Sequence, residues 1–347
     1  MAIKKKSLIE RWSQDQLWMG LYPEVIARLQ TNGELGQLAL PQYDGRWDLR
    51  GISLRVTGAQ VPGEIELPEG MVFRFALGAR PRFTNIQLRS IDFSYAQLDQ
   101  AVFEHCYVED VLFHNANGEG VTDPGSTFRN VDLSGARWRG ATLGFDGTRY
   151  EAVNFQRSDL RNTLYYRGYF VDCDFSDANI QNVDFLASHF IRCRFGGKLR
   201  KVWFRGYYPG KNDEERFGKT ESNPMEDVDF AEAVFTEDVV FANNIDLSRV
   251  IPPQDGKHKL FRNWQDTILL ARQEVEQEWE GVFRREALRN IDYIFAVQKR
   301  KMNIENLDFI ERLLVRYFPN PGQAKEFAQA FIDLLLRSAA IAEEKTT

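Results

Sequence analysis

The chain has 347 residues, of which 43% are apolar and 27% charged, the profile of a folded protein long enough for two or three structural units. Its longest apolar runs, such as 331–336, fall far short of the ~20 residues that cross a bilayer, and the N-terminus lacks a secretory apolar stretch, so a cytoplasmic protein without membrane contact is expected. The net charge of −6 arises in the middle, where residues 45–250 hold 24 basic and 30 acidic groups, which excludes both a basic nucleic-acid footprint and an acidic tail.

The first 44 residues carry a helical pattern through Leu8, Trp12, Leu17, Tyr22, Val25, Ile26 and Leu29, ended by Asn32 and Gly33. A capping helix is expected there. From Phe83 the period becomes five. Large apolar residues return as Phe83, Leu88, Phe93, Leu98, Phe103, Val108 and Phe113, then as Phe128, Leu133, Trp138 and Leu143, with Gly118 and Asp123 breaking the series. After two extra residues, Gly144 and Phe145, the series resumes at Tyr150 and runs every fifth residue to Phe195 without a miss. Two positions before each large residue lies a smaller one, among them Ala96, Ala101, Cys106, Ala136, Cys173, Ala178 and Cys193.

A period of five fits neither a helix at 3.6 nor a continuous strand at 2, so the chain must bend once per unit. Side chains two apart on an extended backbone point the same way, which gives each unit a two-residue inward face. Four right-angled bends close a square coil of roughly 20 residues, and coils stack at the ~4.8 Å strand spacing. Phe155, Phe175 and Phe195 then form one internal column, Tyr150, Phe170 and Phe190 a second, and Tyr165 with Phe185 part of a third.

On stretches such as "SYAQLDQAVF", "NVDLSGARW" and "DCDFSDANI", the chain resembles the pentapeptide-repeat family, whose units read approximately A(D/N)LXX. The resemblance is clearest over 83–195 and weaker around Leu49, Leu54, Phe204, Phe230 and Phe235. It implies a mainly β fold, a right-handed quadrilateral β-helix over residues 45–250, with roughly six or seven coils. The three cysteines, Cys106, Cys173 and Cys193, fall at the small inward position and read as compact apolar filler rather than zinc ligands or a disulfide.

Three breaks depart from regularity. Residues 114–127 lose the apolar series and read as a poorly formed coil edge or loop. Gly144 and Phe145 are extra. The segment 196–227 reads as a projecting insertion whose basic, aromatic half includes Trp203, Tyr207 and Tyr208. Beyond residue 250 the period is helical, through Leu260, Trp264, Ile268, Ala271, Val275, Trp279, Ile291 and Phe295, with further helices expected near 304–317 and 323–342. Residues 251–347 are therefore expected to form a helical domain that dimerises or holds a second partner.

No histidine is paired at ligand spacing, and no GxSxG, HExxH, P-loop or GxGxxG context appears, so neither metal, cofactor nor enzymatic activity is expected. Outward apolar residues offer more. Tyr166 and Leu186 fall one coil apart on one face, and Val171 and Ile191 one coil apart on the next, an apolar strip that invites cover by the C-terminal helices or a partner. Together with Trp203, Tyr207 and Tyr208 they are the candidate partner-binding residues of a non-catalytic protein-interaction scaffold. Two alternatives remain. The family resemblance implies a bacterial DNA mimic that binds DNA gyrase or another topoisomerase, and an adaptor could carry its activity in the helical domain.

Overall fold

The computed structural model describes residues 5–54, 61–66, 72–77, 80–207, 212–217, 223–242, 245–297, 303–315, 318 and 320–344. Its centre is a four-sided solenoid of about six turns in which the chain pairs in parallel with itself one coil on. Four internal columns define four faces. Face A stacks Phe83, Phe103, Asp123, Leu143, Tyr165, Phe185 and Phe204, and face B stacks Leu88, Val108, Phe128, Tyr150, Phe170 and Phe190. Face C follows Phe93, Phe113, Leu133, Phe155, Phe175, Phe195 and Phe230, while face D follows Leu98, Gly118, Trp138, Leu160, Ile180, Leu199 and Phe235.

The stacking expected from the five-residue period is present as ring geometry. Phe155 and Phe175 are 4.5 Å apart and nearly parallel, Phe175 and Phe195 4.7 Å, and Tyr150 and Phe170 4.6 Å. Rings on adjacent faces meet edge-on, as Phe170 does with Phe185. Parallel stacks down a column and edges across the core both satisfy the aromatic quadrupole, so large rings fill a narrow tube.

Each corner is a residue two places after the large inward one, and its φ is positive: Asn85 at 55°, His105 at 51°, Asn130 at 52°, Asp172 at 55° and Asn182 at 53°. Asn and Asp tolerate this left-handed conformation better than other non-glycine residues, which accounts for their recurrence there. Face C adds a second device. Asp92, Asp132, Asn154, Asp174 and Asp229 each accept, through the side-chain oxygen, the backbone N–H two residues later, closing an Asx turn that holds the bend. Asp174 is thus part of the scaffold, and its neighbour Asp172 pairs with Arg192.

Residues 114–127 depart from expectation. They form a regular coil: Asn117 bridges to Arg137 and Thr122 to Thr142. The indole of Trp138 fills the gap at Gly118, where a Cβ would lie 2.6 Å from Trp138 Nε1. Asp123 points inward and is fully buried.

The projecting insertion is also shorter than the sequence suggests. Gly197–Arg205 is a nine-residue strand whose Leu199, Val202 and Phe204 continue the core. Leu199 pairs with Ile180, a 19-residue step that shifts the period by one and hides these units from a strict count of five. The chain leaves face A only after Arg205, passes through the short helix Asp213–Phe217 and rejoins at Asn223.

Two helices rather than one close the N-terminal end: α1 (Lys5–Gln14) and α2 (Gln16–Thr31), with Asp15 between them capping the Leu17 N–H. The break rotates the pattern, so Trp18 is buried and Leu17 is 58% exposed. Arg11 donates to both oxygens of Asp48 at 2.9 and 2.7 Å, Arg50 donates to the same carboxylate at 2.9 Å, and Trp12 Nε1 donates to Arg50 O at 2.9 Å. Burial opposes ionisation of Asp48, yet the two guanidinium groups overcome it and hold the carboxyl well below its usual range. Gly51, at φ +74°, lets Leu8 O approach to where a Cβ would be 2.5 Å away. Between this first coil and Phe83, Val61–Glu66 and Val72–Leu77 pair as an antiparallel hairpin that the sequence reading did not include.

At the other end His258–Phe261, expected to begin a helix, is a strand paired antiparallel with Asn303–Asn306. Its Leu260, with Ile304, joins the solenoid core, so part of the chain beyond residue 250 completes that end. The helices Trp264–Glu278, Gly281–Val297, Leu307–Val315 and Pro321–Glu344 follow, with a core of their own around Trp264, Phe327 and Phe331. Among the described residues no helix is long and apolar enough to cross a membrane.

Candidate interaction surface

Because parallel pairing brings each outward side chain over its equivalent one coil on, outward residues act as ladders. Most ladder charges are paired. Arg89 meets Glu109, Arg82 meets Glu104 at 2.8 Å, Arg139 meets Glu119 at 3.4 Å and Arg192 meets Asp172 at 2.6 Å. On face B the ladder turns aromatic: the Arg149 guanidinium lies 5.0 Å from the Tyr169 ring, which stacks on His189 at 4.8 Å.

Face A differs. Beyond the Arg82–Glu104 pair of its first coils, its outward positions carry Val102, Thr122, Thr142, Leu164, Asp184 and Trp203 on one side of the column, with Tyr166, Leu186 and Arg205 on the other. Tyr166 and Leu186 pair side by side, and Val171 pairs with Ile191 around the corner on face B. Trp203 pairs with Asp184 on the same face as Leu186. Tyr207 follows where the chain departs and is 37% exposed; Tyr208 lies outside the described residues. The fold therefore gathers Tyr166, Leu186 and Trp203 on one face, with Val171 and Ile191 half-buried beside them.

Tyr166 and Leu186 are more covered than outward positions normally are, at 8% and 7% exposure. The cover is local. Phe145, one of the two extra residues, brings its ring 5.8 Å from Tyr166, and Leu164 and Ala187 complete the cluster. Sequence reasoning had Phe145 only as an interruption; its signal was a large apolar residue in a glycine-flanked break, on the coil preceding Tyr166.

Behind Phe145 lies the one acid at a core column position among the described residues. Asp123 accepts the Gly144 N–H at 2.9 Å through Oδ1 and the Tyr150 hydroxyl through Oδ2. Burial pushes its carboxyl up to about 7 despite these hydrogen bonds. The phenols of Tyr150 and Tyr165 are raised too, by burial first and then by Asp123. Elsewhere the titratable groups are structural. His114 Nδ1 is 2.8 Å from Ser134 Oγ, His258 is 2.8 Å from Asp255, and no group of three or more His, Cys, Asp or Glu among the described residues could hold a metal.

Units of five residues, four to a coil, with a large ring and a small residue facing inward, decide the architecture. The fold is that of the pentapeptide-repeat proteins. No protein-family model and no curated protein matches this sequence. Among solved structures the chain is similar to a pentapeptide-repeat protein (Rfr23) from the cyanobacterium Cyanothece 51142, at 8% identity and a TM-score of 0.27, over 35% of this chain and 85% of that one. Full-length QnrB1, a plasmid-mediated fluoroquinolone resistance protein, gives 13% identity and a TM-score of 0.29 over 55% and 92%. HetL, a pentapeptide-repeat protein involved in heterocyst differentiation regulation in Nostoc sp. strain PCC 7120, gives 13% and 0.16 over 63% and 90%. The pentapeptide-repeat coil fills its interior with side chains and leaves only its exterior exposed.

Proposed function

We propose that this protein is a non-catalytic scaffold that binds a protein partner across the corner between faces A and B. The observation that carries the reading is a change of character along the ladders of faces A and B. The early coils of these ladders carry ion pairs, Arg82 with Glu104 and Arg89 with Glu109, whereas further along Leu164, Tyr166, Leu186, Val171, Ile191 and Trp203 make the corner largely apolar, with the Arg205–Asp184 pair at 3.0 Å set among them. Apolar cores rimmed by charge are the usual anatomy of a protein interface, with Trp and Tyr as its anchors.

The same pairing argues against imitation of DNA. Duplex DNA carries a charge every ~1.7 Å, and a mimic needs rows of uncompensated acids. Here Glu104, Glu109, Glu119 and Asp172 each face an arginine. Affinity capture from a cell lysate with the wild-type chain and with Trp203→Ala and Ile191→Asp variants tests the reading. A stoichiometric protein retained by the wild type should fall at least about tenfold in both variants, in line with the loss of an interface anchor. Equal retention by folded variants rules out this corner as the contact, and capture of topoisomerase subunits would favour mimicry instead.

A further inference from the structure

We propose that Asp123 is a protonation-controlled latch on the bulge 144–147, holding Phe145 against Tyr166 when protonated and releasing the bulge when ionised. The latch needs no partner and is separate from the identity of whatever binds the strip.

Geometry carries the proposal. The extra residues are accommodated by three positive φ values, Gly144 at 76°, Asp146 at 61° and Gly147 at 78°, a conformation that needs fastening. The fastening is internal: Gly144 N–H donates to Asp123 Oδ1 and, at 3.1 Å, to Tyr150 Oη, while Thr148 Oγ1 donates to Asp123 O. Gly125 N–H donates to Phe145 O at 2.9 Å. Glycine at 144 is itself required, since a Cβ would lie 2.8 Å from Gly168 Cα in the next coil. One carboxyl thus joins the inside of the bulge to the core, and the bulge carries the ring that shields Tyr166 outside.

Protonation decides whether that carboxyl is at ease. Its column neighbours are Phe103 and Leu143, and the titratable groups acting on it are the phenols Tyr150 and Tyr165, neither of which supplies positive charge. On the outer side Arg167 lies 3.9 Å from Asp146, and His105 lies over Gly125. On ionisation the carboxyl O–H bond breaks and the proton passes to water that enters as the bulge opens. A group held above its unfolded value stabilises the closed state fully at low pH, and that stabilisation is lost as pH rises towards the folded value. The latch is closed near pH 4 and loosens up to about pH 7, beyond which both states are ionised and the equilibrium levels off.

Amide hydrogen exchange on the full chain tests this. In the wild type the protection factors of Gly144 and Thr148, corrected for intrinsic exchange, should fall about tenfold per pH unit between pH 5 and 7 and flatten above, because one pKa unit is a factor of ten. They should also be lower and less denaturant-dependent than that of Phe155, whose N–H donates to Asp174 O at 2.7 Å in the same solenoid. Asp123→Asn should abolish the pH dependence and His105→Gln should keep it. If Asp123→Asn does not fold, Tyr150→Phe, which leaves the carboxyl but removes a donor to it, should extend the falling limb to higher pH. PH-independent protection in the wild type, loss of the response in His105→Gln, or bulge amides that exchange only with Phe155 in global unfolding would each overturn the latch.

Discussion

The small inward position is more than filler. Cys106 Sγ lies 3.2 Å from Phe83 O, Ser126 Oγ 2.9 Å from Phe103 O, Cys173 Sγ 3.4 Å from Tyr150 O and Cys193 Sγ 3.4 Å from Phe170 O. At other corners the carbonyl of the large inward residue accepts the N–H three residues on, as Phe93 O does from Ala96 and Phe155 O from Ser158. At Phe83, Phe103, Tyr150 and Phe170 a thiol or hydroxyl from the next coil takes its place. Burial accordingly pushes the Cys173 thiol far up, which keeps it a donor. Cys173→Ala should cost about 1–3 kcal/mol in denaturant unfolding, and Cys173→Ser clearly less, since Ser126 already fills this role. Equal costs would show that packing alone matters. The sequence reading placed all three cysteines inward but missed the donor role, because the acceptor lies 23 residues back in an arrangement that only the closed coil creates.

At the scale of elements, compensation between coils explains which expectations failed. The five-residue period was legible over 83–195 because nearly every unit obeys it. Gly118 and Asp123 look like failures of the period, and they are in fact completed by Trp138 and Tyr150, 20 and 27 residues further on. Gly118→Leu should destabilise by about 1–3 kcal/mol through overpacking against the indole. Combined with Trp138→Leu, which rebuilds a leucine column between Leu98 and Leu160, the loss should be largely recovered, a coupling readable by a double-mutant cycle. Additive losses would refute it. The N-terminal cap was legible as helix and illegible as a lock, since the Arg11–Asp48–Arg50 group joins residues 37 apart. Arg11→Ala leaves Asp48 with Arg50 alone and should cost about 3 kcal/mol. A bared first coil presents open strand edges, so the same variant should self-associate in light scattering while the wild type does not. Of the candidate site, the pairing of Tyr166 with Leu186 and Val171 with Ile191 was readable from spacing; Phe145 was not, because a bulge has no place in the period.

For the whole molecule, Asp48 and Asp123 act in opposite directions on pH. Asp48, depressed, contributes stability above about pH 4 that is lost as pH falls, whereas Asp123, raised, contributes stability below about pH 4 that is lost as pH rises to about 7. Unfolding free energy should therefore peak near pH 4–5 and decline towards neutrality, by roughly 4 kcal/mol at most from a three-unit shift. In Asp123→Asn the decline should vanish. A wild-type profile that rises steadily from pH 4 to 8 would contradict this assignment.

The stepwise registration of coils sets the sizes in which such a molecule can grow. Tyr165 meets Phe185 after 20 residues, while Phe128 meets Tyr150 after 22 because the bulge absorbs the surplus pair. Duplicating one full circuit would therefore lengthen the rod and return every later side chain to its own wall, whereas adding a lone five-residue unit would rotate everything downstream by a quarter turn and scatter Tyr166, Leu186 and Trp203 away from the aspect they share. Viable lengths of this architecture are counted in whole circuits.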